Sequence, residues 1–194
     1  MSRPALVIVS GLPASGKTTL ARRLAHELRL PLLARDDIKE RLFDQLGWSD
    51  RDWSRRLGGA SWELLYWAIE AQLAAGRSCI AESNFHPERD RRRFRELGQR
   101  FMFTPIEIHC YATGSVLVER YLARIANGSR HPGHVDHVTI DEQREQLLAA
   151  APEPLALGGA TLLVDTTDPS TIDYDSLVNE VRSMLTEAEW RSRG

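Results

Sequence analysis

The sequence feature that most constrains this chain is the segment Gly11–Thr18, which fits the pattern Gly-x-x-x-x-Gly-Lys-Ser/Thr. Glycines at both ends allow the backbone to curl until successive N–H groups point at a bound phosphate. In this pattern Lys17 reaches the terminal phosphates, and the hydroxyl of Thr18 can bind Mg²⁺. The segment therefore predicts a loop that binds the phosphates of a nucleoside triphosphate. The residues predicted to contact the nucleotide are Gly11, Pro13, Ala14, Ser15, Gly16, Lys17, Thr18 and Thr19.

The residues around this loop predict the fold that holds it. Residues 5–9 form an apolar run typical of a buried strand, and leucines at helical spacing follow the loop. Strands that alternate with helices along the rest of the chain predict a parallel sheet covered on both faces. We therefore expect an α/β, three-layer P-loop NTPase fold with a five-stranded parallel sheet. A single domain is predicted over 1–194, with a helical lid at about 120–145 and an irregular segment at 48–59.

Composition excludes several other classes of protein. The chain has 194 residues, 42% of them hydrophobic, and a net charge of −2, which is ordinary for one soluble domain. The mild charge argues against indiscriminate binding to long nucleic acid. No stretch is long enough for a signal peptide or a membrane span, so no membrane partner is expected. Cys79 and Cys110 lie in apolar segments and are predicted to be buried free thiols, which favours a cytoplasmic location.

Acidic and amide side chains follow the predicted strands, where a parallel sheet of this kind binds its ligands. Asp36 and Asp37 come after the second strand, and Glu82 and Asn84 after the third. An aspartate facing the terminal phosphate can accept a proton from an attacking hydroxyl. Asp36 is the predicted base, and Asp37 is predicted to cap the next helix or to support the site.

Three motifs in sequence order resemble those of a known group of enzymes. They are Gly-x-Pro-x-Ser-Gly-Lys-Thr, Arg-Asp-Asp-x-Lys at 35–39, and Glu-Ser-Asn-x-x-Pro-Glu-Arg at 82–89. Over residues 6–136 the chain resembles the kinase domain of phage-type polynucleotide 5′-kinases and the wider group of small P-loop kinases, zeta-toxin-like enzymes included. The resemblance implies that Asp36 is the general base and that Lys39, where the family more often has Arg, contacts the acceptor. It also places Glu82 and Asn84 beside the acceptor and the metal.

Arginines in the second half of the chain fit a lid that closes over the phosphates. Arg120 and Arg124 share one face of a predicted helix and fall at positions that supply lid arginines in the related kinases. They are predicted to stabilise the transition state. Arg130, in a glycine-containing loop that can act as a hinge, is a predicted substrate contact. The run of arginines at 89–95 is predicted to be a solvated helix surface, with nucleic-acid contact as the alternative.

Histidines and tryptophans leave further alternatives open. His131, His134 and His137 allow either a zinc site or contact with the acceptor, and the absence of cysteines nearby favours the second. Trp48 and Trp53 are predicted to line the acceptor pocket, and Trp62 to belong to the core.

These predictions combine into one functional hypothesis. The chain is expected to be an ATP-dependent kinase that transfers the γ-phosphoryl group to a hydroxyl of a small molecule or of a polynucleotide 5′ end. The motif order favours the polynucleotide, whereas the mild net charge favours the small molecule. The alternative is a regulatory NTPase without an acceptor, although no Asn-Lys-x-Asp segment of a guanine-specific switch is present. Oligomeric state and the preference for ATP over GTP are left open.

Overall fold

The computed structural model describes residues 3–138, 140–149 and 151–190, and in these ranges the chain alternates strands and helices. The strands are β1 Ala5–Ser10, β2 Leu32–Ala34, β3 Cys79–Glu82, β4 Thr104–Tyr111 and β5 Ala160–Asp165. The helices are α1 Lys17–Leu28, α2 Arg35–Leu46, α3 Arg51–Ala74, α4 Pro87–Phe101, α5 Gly114–Ala126, α6 Ile140–Leu148 and α7 Tyr174–Trp190. Short 3₁₀ turns at Pro132–His134 and Asp136–Val138 join α5 to α6.

The strands form one sheet in the order β2-β3-β1-β4-β5, and every pair is parallel. Val9 on the central strand β1 is in register with Glu82 on β3 and Ile108 on β4. All five strands therefore end at the same edge, which is where the predicted site residues fall. The predicted α/β fold with a five-stranded parallel sheet is confirmed.

Apolar side chains form a core on each face of this sheet. Leu20 and Leu24 of α1 pack with Val181 of α7 on one face. On the other face, Leu65 of α3 packs with Phe94 of α4. The residues of β1 are all buried, as expected for a central strand covered by helices on both sides.

Two sequence predictions about local structure are wrong. Residues 48–59 are not irregular, because α3 begins at Arg51, where the Asp50 side chain accepts a hydrogen bond from the N–H of Trp53 at 2.9 Å. The helix α2 begins at Arg35, with Ala34 at its N-cap, so Asp37 does not cap it. Asp37 instead pairs with Arg22 of α1 at 3.0 Å on the surface.

Candidate active site

The loop at Gly11–Thr18 connects β1 to α1 and packs tightly on the neighbouring strand. Gly11 has a φ of 141°, and a Cβ there would come within 2.3 Å of the carbonyl oxygen of Cys110, so only glycine fits. Gly16 is in the left-handed region at the start of α1. The hydroxyl of Thr166 donates to the carbonyl of Ser15 at 2.9 Å and holds the loop against the end of β5.

Lys17, Thr18 and Glu82 meet at the start of α1. The Lys17 ammonium is buried, donates to the Leu12 carbonyl at 3.3 Å and lies 3.9 Å from a Glu82 carboxylate oxygen. The Thr18 hydroxyl donates to the other Glu82 oxygen at 3.3 Å. Burial raises the pKa of Glu82, although Lys17 and Thr18 act against the rise. A hydroxyl and a carboxylate this close form the oxygen-donor set that Mg²⁺ prefers, so these residues fit the predicted metal.

Asp36 and Arg130 form an ion pair across the mouth of this site. The distance between Arg130 Nη2 and Asp36 Oδ2 is 3.1 Å, and Arg130 also contacts Asp136 at 3.2 Å. Burial alone would raise the pKa of Asp36, but the charges of Arg130 and Lys17 outweigh it and lower the pKa to about 2. Asp36 is therefore a carboxylate at any pH near neutrality.

The predicted lid arginines occupy different places. Arg124 lies with Asp36, Arg130 and Lys17 around a cavity of about 180 Å³, which we call the phosphate-site cavity. Burial lowers the pKa of Arg124, and the charge of Arg130 lowers it further. Arg120 points elsewhere and donates to the carbonyls of Thr166 and Thr167 at 2.7 and 3.1 Å. The structure thus places Arg124 in the same cavity as the predicted base Asp36, whereas Arg120 contacts the loop after β5.

The predicted acceptor contacts Lys39 and Asn84 also border the phosphate-site cavity. Lys39 is buried and donates to the Ser54 hydroxyl of α3 at 3.1 Å. Its burial and the nearby Arg35 lower the pKa of Lys39 to about 8. The side-chain oxygen of Asn84 accepts a hydrogen bond from Arg35 at 2.9 Å.

Sequence reasoning missed two arginines that pack on Trp62 next to the site. The guanidinium carbons of Arg35 and Arg89 lie 4.6 and 4.3 Å from the ring centre of Trp62, which lines a pocket as well as the core edge. Arg89 also donates to the Asn84 carbonyl at 3.0 Å. Arg35 is the first residue of the motif at 35–39, and Arg89 is the last residue of the motif at 82–89. Their places in these motifs were the sequence signal that could have identified them.

Two tryptophans lie away from the place predicted for them. Trp53 donates its indole N–H to the Gly47 carbonyl at 2.9 Å and thereby holds the turn between α2 and α3. Trp48 is half exposed and contacts His131 edge to face. Neither residue lines the phosphate-site cavity or the pocket beside Trp62, within the part of the chain that the structure describes.

Histidines of the lid pack on α2. His134 Nδ1 accepts from Arg130 at 3.1 Å and its Nε2 lies 3.0 Å from Glu40, so the neutral form protonated at Nε2 satisfies both contacts. The His131 ring stacks on Phe43. Within the described ranges, no group of three or more His, Cys, Asp and Glu side chains has the arrangement of a metal site.

The fold and this site define the chain as a phosphotransferase of the P-loop class. Its structure is similar to that of a candidate kinase from Chloroflexus aurantiacus, with a TM-score of 0.88 and 50% sequence identity over 93% of this chain and 97% of that chain. The chain belongs to the AAA domain family, whose profile matches residues 6–150.

More distant structures share the fold alone. A gluconokinase from Sinorhizobium meliloti 1021 has a TM-score of 0.54 at 18% identity, over 98% of this chain and 97% of that chain. A sugar kinase from Janibacter sp. HTCC2649 has a TM-score of 0.51 at 18% identity, over 93% of both chains. A search of curated proteins finds no significant match. None of the helices in the described ranges has the length and apolarity that crossing a membrane requires.

Proposed function

We propose that this protein transfers the γ-phosphoryl group of ATP to a hydroxyl group of a small acceptor molecule. The observation that carries the proposal is the position of Asp36 in the same small cavity as Lys17, Arg124 and Arg130. Thr18 and Glu82 supply the oxygen donors for the metal, so Asp36 is a second carboxylate, which we assign to the deprotonation of an attacking hydroxyl. The predicted single domain and its lid at about 120–145 remain part of this proposal.

In the proposed step the acceptor oxygen attacks the γ-phosphorus while Asp36 takes its proton. The bond between the γ-phosphorus and the β,γ-bridging oxygen breaks, and ADP leaves with the electron pair of that bond. Arg130 holds the pKa of Asp36 near 2 in this structure, which makes the carboxylate a weak base. When Arg130 instead binds the γ-phosphate, the pKa of Asp36 rises and the carboxylate becomes a better proton acceptor.

The other charged residues have supporting roles in this proposal. Lys17 and Arg124 stabilise the charge that develops on the transferred group. Thr18 and Glu82 would hold Mg²⁺, which, when bound, neutralises charge on the phosphates. Arg120, predicted as a catalytic residue, is proposed here as a positioning residue, because it holds Thr166 and Thr166 in turn holds the phosphate loop.

Two buried thiols support the expected cytoplasmic location. Cys79 and Cys110 are both buried and unpaired, as predicted, and burial raises the pKa of each thiol to about 12. Such thiols are unreactive and persist in a reducing compartment.

The test is ADP formation from ATP with and without a panel of hydroxyl-bearing acceptors. Asp36→Asn should lower kcat about 10²- to 10⁴-fold while ATP binding changes little, because it removes the proton acceptor and keeps the side-chain shape. Asp37→Asn is the matched control, since Asp37 contacts Arg22 outside the cavity. ATP turnover that never depends on an acceptor would favour the regulatory NTPase, and wild-type kcat in Asp36→Asn would remove Asp36 from the role of base.

A further inference from the structure

A second, strongly basic pocket lies beside the phosphate-site cavity. It has a volume of about 350 Å³ and lies between α2, α3 and the lid. We define the basic pocket by Arg35, Lys39, Arg55, Gly58 and Trp62. Of its lining side chains in the described part of the chain, four are Arg or Lys and none is Asp or Glu. The two outer cations are paired with carboxylates, Arg51 with Glu142 and Arg55 with Asp52, so the inner pair Arg35 and Lys39 carries the argument. Arg35 and Lys39 border both cavities, so the two spaces adjoin at these side chains.

The two inner cations of the basic pocket have neutral hydrogen-bond partners. Lys39 donates to the Ser54 hydroxyl at 3.1 Å. Arg35 donates to the Ser61 hydroxyl at 3.2 Å and to the Asn84 amide oxygen at 2.9 Å. Burial lowers the pKa of both cations, because it removes water from their charged forms. A bound anion would supply the charge that these partners lack.

The chain also leaves room for a ligand next to these cations. Gly58 lies inside the helix α3, where glycine is less favourable than alanine. A Cβ at position 58 would lie 3.6 Å from Lys39 Nζ and 3.8 Å from Arg35 Nη2. Because position 58 has no side chain, the space that a Cβ would fill stays open within contact distance of both cations.

We propose that the acceptor is a small molecule that carries a carboxylate or phosphate group, which binds in the basic pocket while its hydroxyl reaches Asp36. This inference rests on the proposed function and adds the class of acceptor to it. A cationic acceptor such as an aminoglycoside would be repelled from this pocket. The larger cavity of about 390 Å³ on the other side of the phosphate loop is of mixed sign, with both Arg89 and Glu153 in its lining.

The surface charges favour a small anion over a polynucleotide. A polynucleotide needs a row of free cations along its backbone. Most arginines of the run at 89–95, which supplied the nucleic-acid alternative, instead have partners within the protein. Arg92 pairs with Glu96 at 2.9 Å, Arg93 with Glu63 at 2.8 Å and Arg89 with Asp90 at 2.8 Å, and Arg91 donates to the Leu155 carbonyl at 2.6 Å.

The first experiment measures anion binding without turnover. Inorganic sulfate is titrated calorimetrically into the protein saturated with Mg²⁺ and β,γ-methylene ATP, so that the phosphate loop is already filled. Lys39→Gln should weaken sulfate binding about ten- to hundredfold, the range for loss of a charge-assisted hydrogen bond. Sulfate that fails to bind the wild type, or that binds both proteins equally, would overturn the proposal.

Gly58→Ala separates a binding role from a structural one. Alanine should raise the melting temperature, because it favours the helix and its Cβ makes only ordinary contacts, and it should weaken sulfate binding about tenfold. Gly98→Ala in α4 is the matched control: its Cβ would lie 3.9 Å from Phe103, far from the site, and it should raise the melting temperature without weakening sulfate binding. Gly58→Ala with undiminished sulfate affinity would contradict the assigned position of the anion.

The second experiment compares turnover of matched acceptors, such as D-gluconate with D-glucitol and sugar phosphates with their free sugars. Higher kcat/KM for the anionic member of each pair, lost in Lys39→Gln, supports the proposal. Preference for the neutral member, for aminoglycosides or for 5′-hydroxyl oligonucleotides would overturn it and leave the kinase function standing. Turnover that depends on none of these acceptors would count against the kinase function, and the sulfate titration would then decide the anion site separately.

Discussion

At the scale of single residues, the site depends on an excess of positive charge that lowers the pKa of both Asp36 and Lys39. Asp36 and Lys39 lie one turn apart on α2, and burial opposes the charged form of each. The surrounding cations reverse the effect for Asp36, whose pKa is about 2, and reinforce it for Lys39, whose pKa is about 8. The positive charge therefore keeps Asp36 ionised, and it leaves Lys39 still protonated at neutral pH but able to lose its proton at slightly higher pH.

This difference predicts a pH dependence for acceptor binding. Lys39 faces Arg35 and Asp36 on its own helix, and Arg130 and Asp136 on the lid. As the pH rises through about 8, free Lys39 loses its proton, so the KM of an anionic acceptor should rise about tenfold per pH unit. Asp36 stays ionised throughout this range.

Initial rates from pH 7 to 10 would measure this effect, with KM for ATP as the internal reference. The Lys39→Gln variant has no group that titrates at this position, so its acceptor KM should be higher but flat with pH. A flat KM in the wild type would show that the charge of Lys39 is not needed for binding.

At the scale of elements, local motifs were predictable and packing between helices was not. The phosphate loop and Asp36 follow from spacing within a few residues, because backbone conformation there depends on neighbours in sequence. The start of α3 was missed because Gly58, Gly59 and the charges around Trp53 resemble a loop. The contact of Arg35 with Trp62 depends on how α2 packs on α3, which no local pattern specifies.

The packing of the lid on α2 gives a second prediction. A Cβ on Gly133 would come within 2.6 Å of the Phe43 ring, so Gly133→Ala must push the lid away from α2. Overpacking of this kind costs about 1–3 kcal/mol, which corresponds to about a five- to 150-fold smaller equilibrium constant for lid docking. Arg130 would then leave Asp36, phosphoryl transfer should slow, and water should gain access to bound ATP.

Two rates would report this opening: ATP hydrolysis without an acceptor, and amide hydrogen exchange in the loop at 127–138. Both rates should be higher in Gly133→Ala than in the wild type. The double variant Gly133→Ala, Phe43→Leu removes the ring atoms that the new methyl meets and should recover part of the loss. Unchanged exchange in Gly133→Ala would show that the lid is not docked through this contact in solution.

At the scale of the whole molecule, the parallel sheet brings the site together from distant parts of the sequence. The sequence predicted a parallel sheet but not the order of its strands. In any parallel sheet, however, the ends of β1, β2 and β3 lie at one edge. For this reason Lys17, Asp36 and Glu82 could be grouped from sequence. What sequence could not predict is how residues 151–159 are held against the sheet, since that contact joins Glu107 to Leu155, 48 positions away.

Glu107 on β4 makes this contact and predicts a stability effect. Its buried carboxylate accepts hydrogen bonds from the N–H groups of Leu155 and Ala156, while burial raises the pKa of Glu107. Glu107→Gln keeps the size of the side chain but turns an NH₂ group toward at least one of these donors. The free energy of unfolding should fall by about 1–3 kcal/mol, the cost of a buried polar group without a partner.

Urea unfolding monitored by circular dichroism would measure this loss. Glu119→Gln, the same change at an exposed position of α5, should stay within about 0.5 kcal/mol of the wild type. The segment that Glu107 holds carries Glu153, whose backbone N–H donates to His109 Nε2 at 3.4 Å beside the phosphate loop. ATP should therefore bind more weakly to Glu107→Gln as well. Equal stability of the two variants would mean that the segment is held by its apolar contacts, such as the buried Leu155, rather than by the carboxylate.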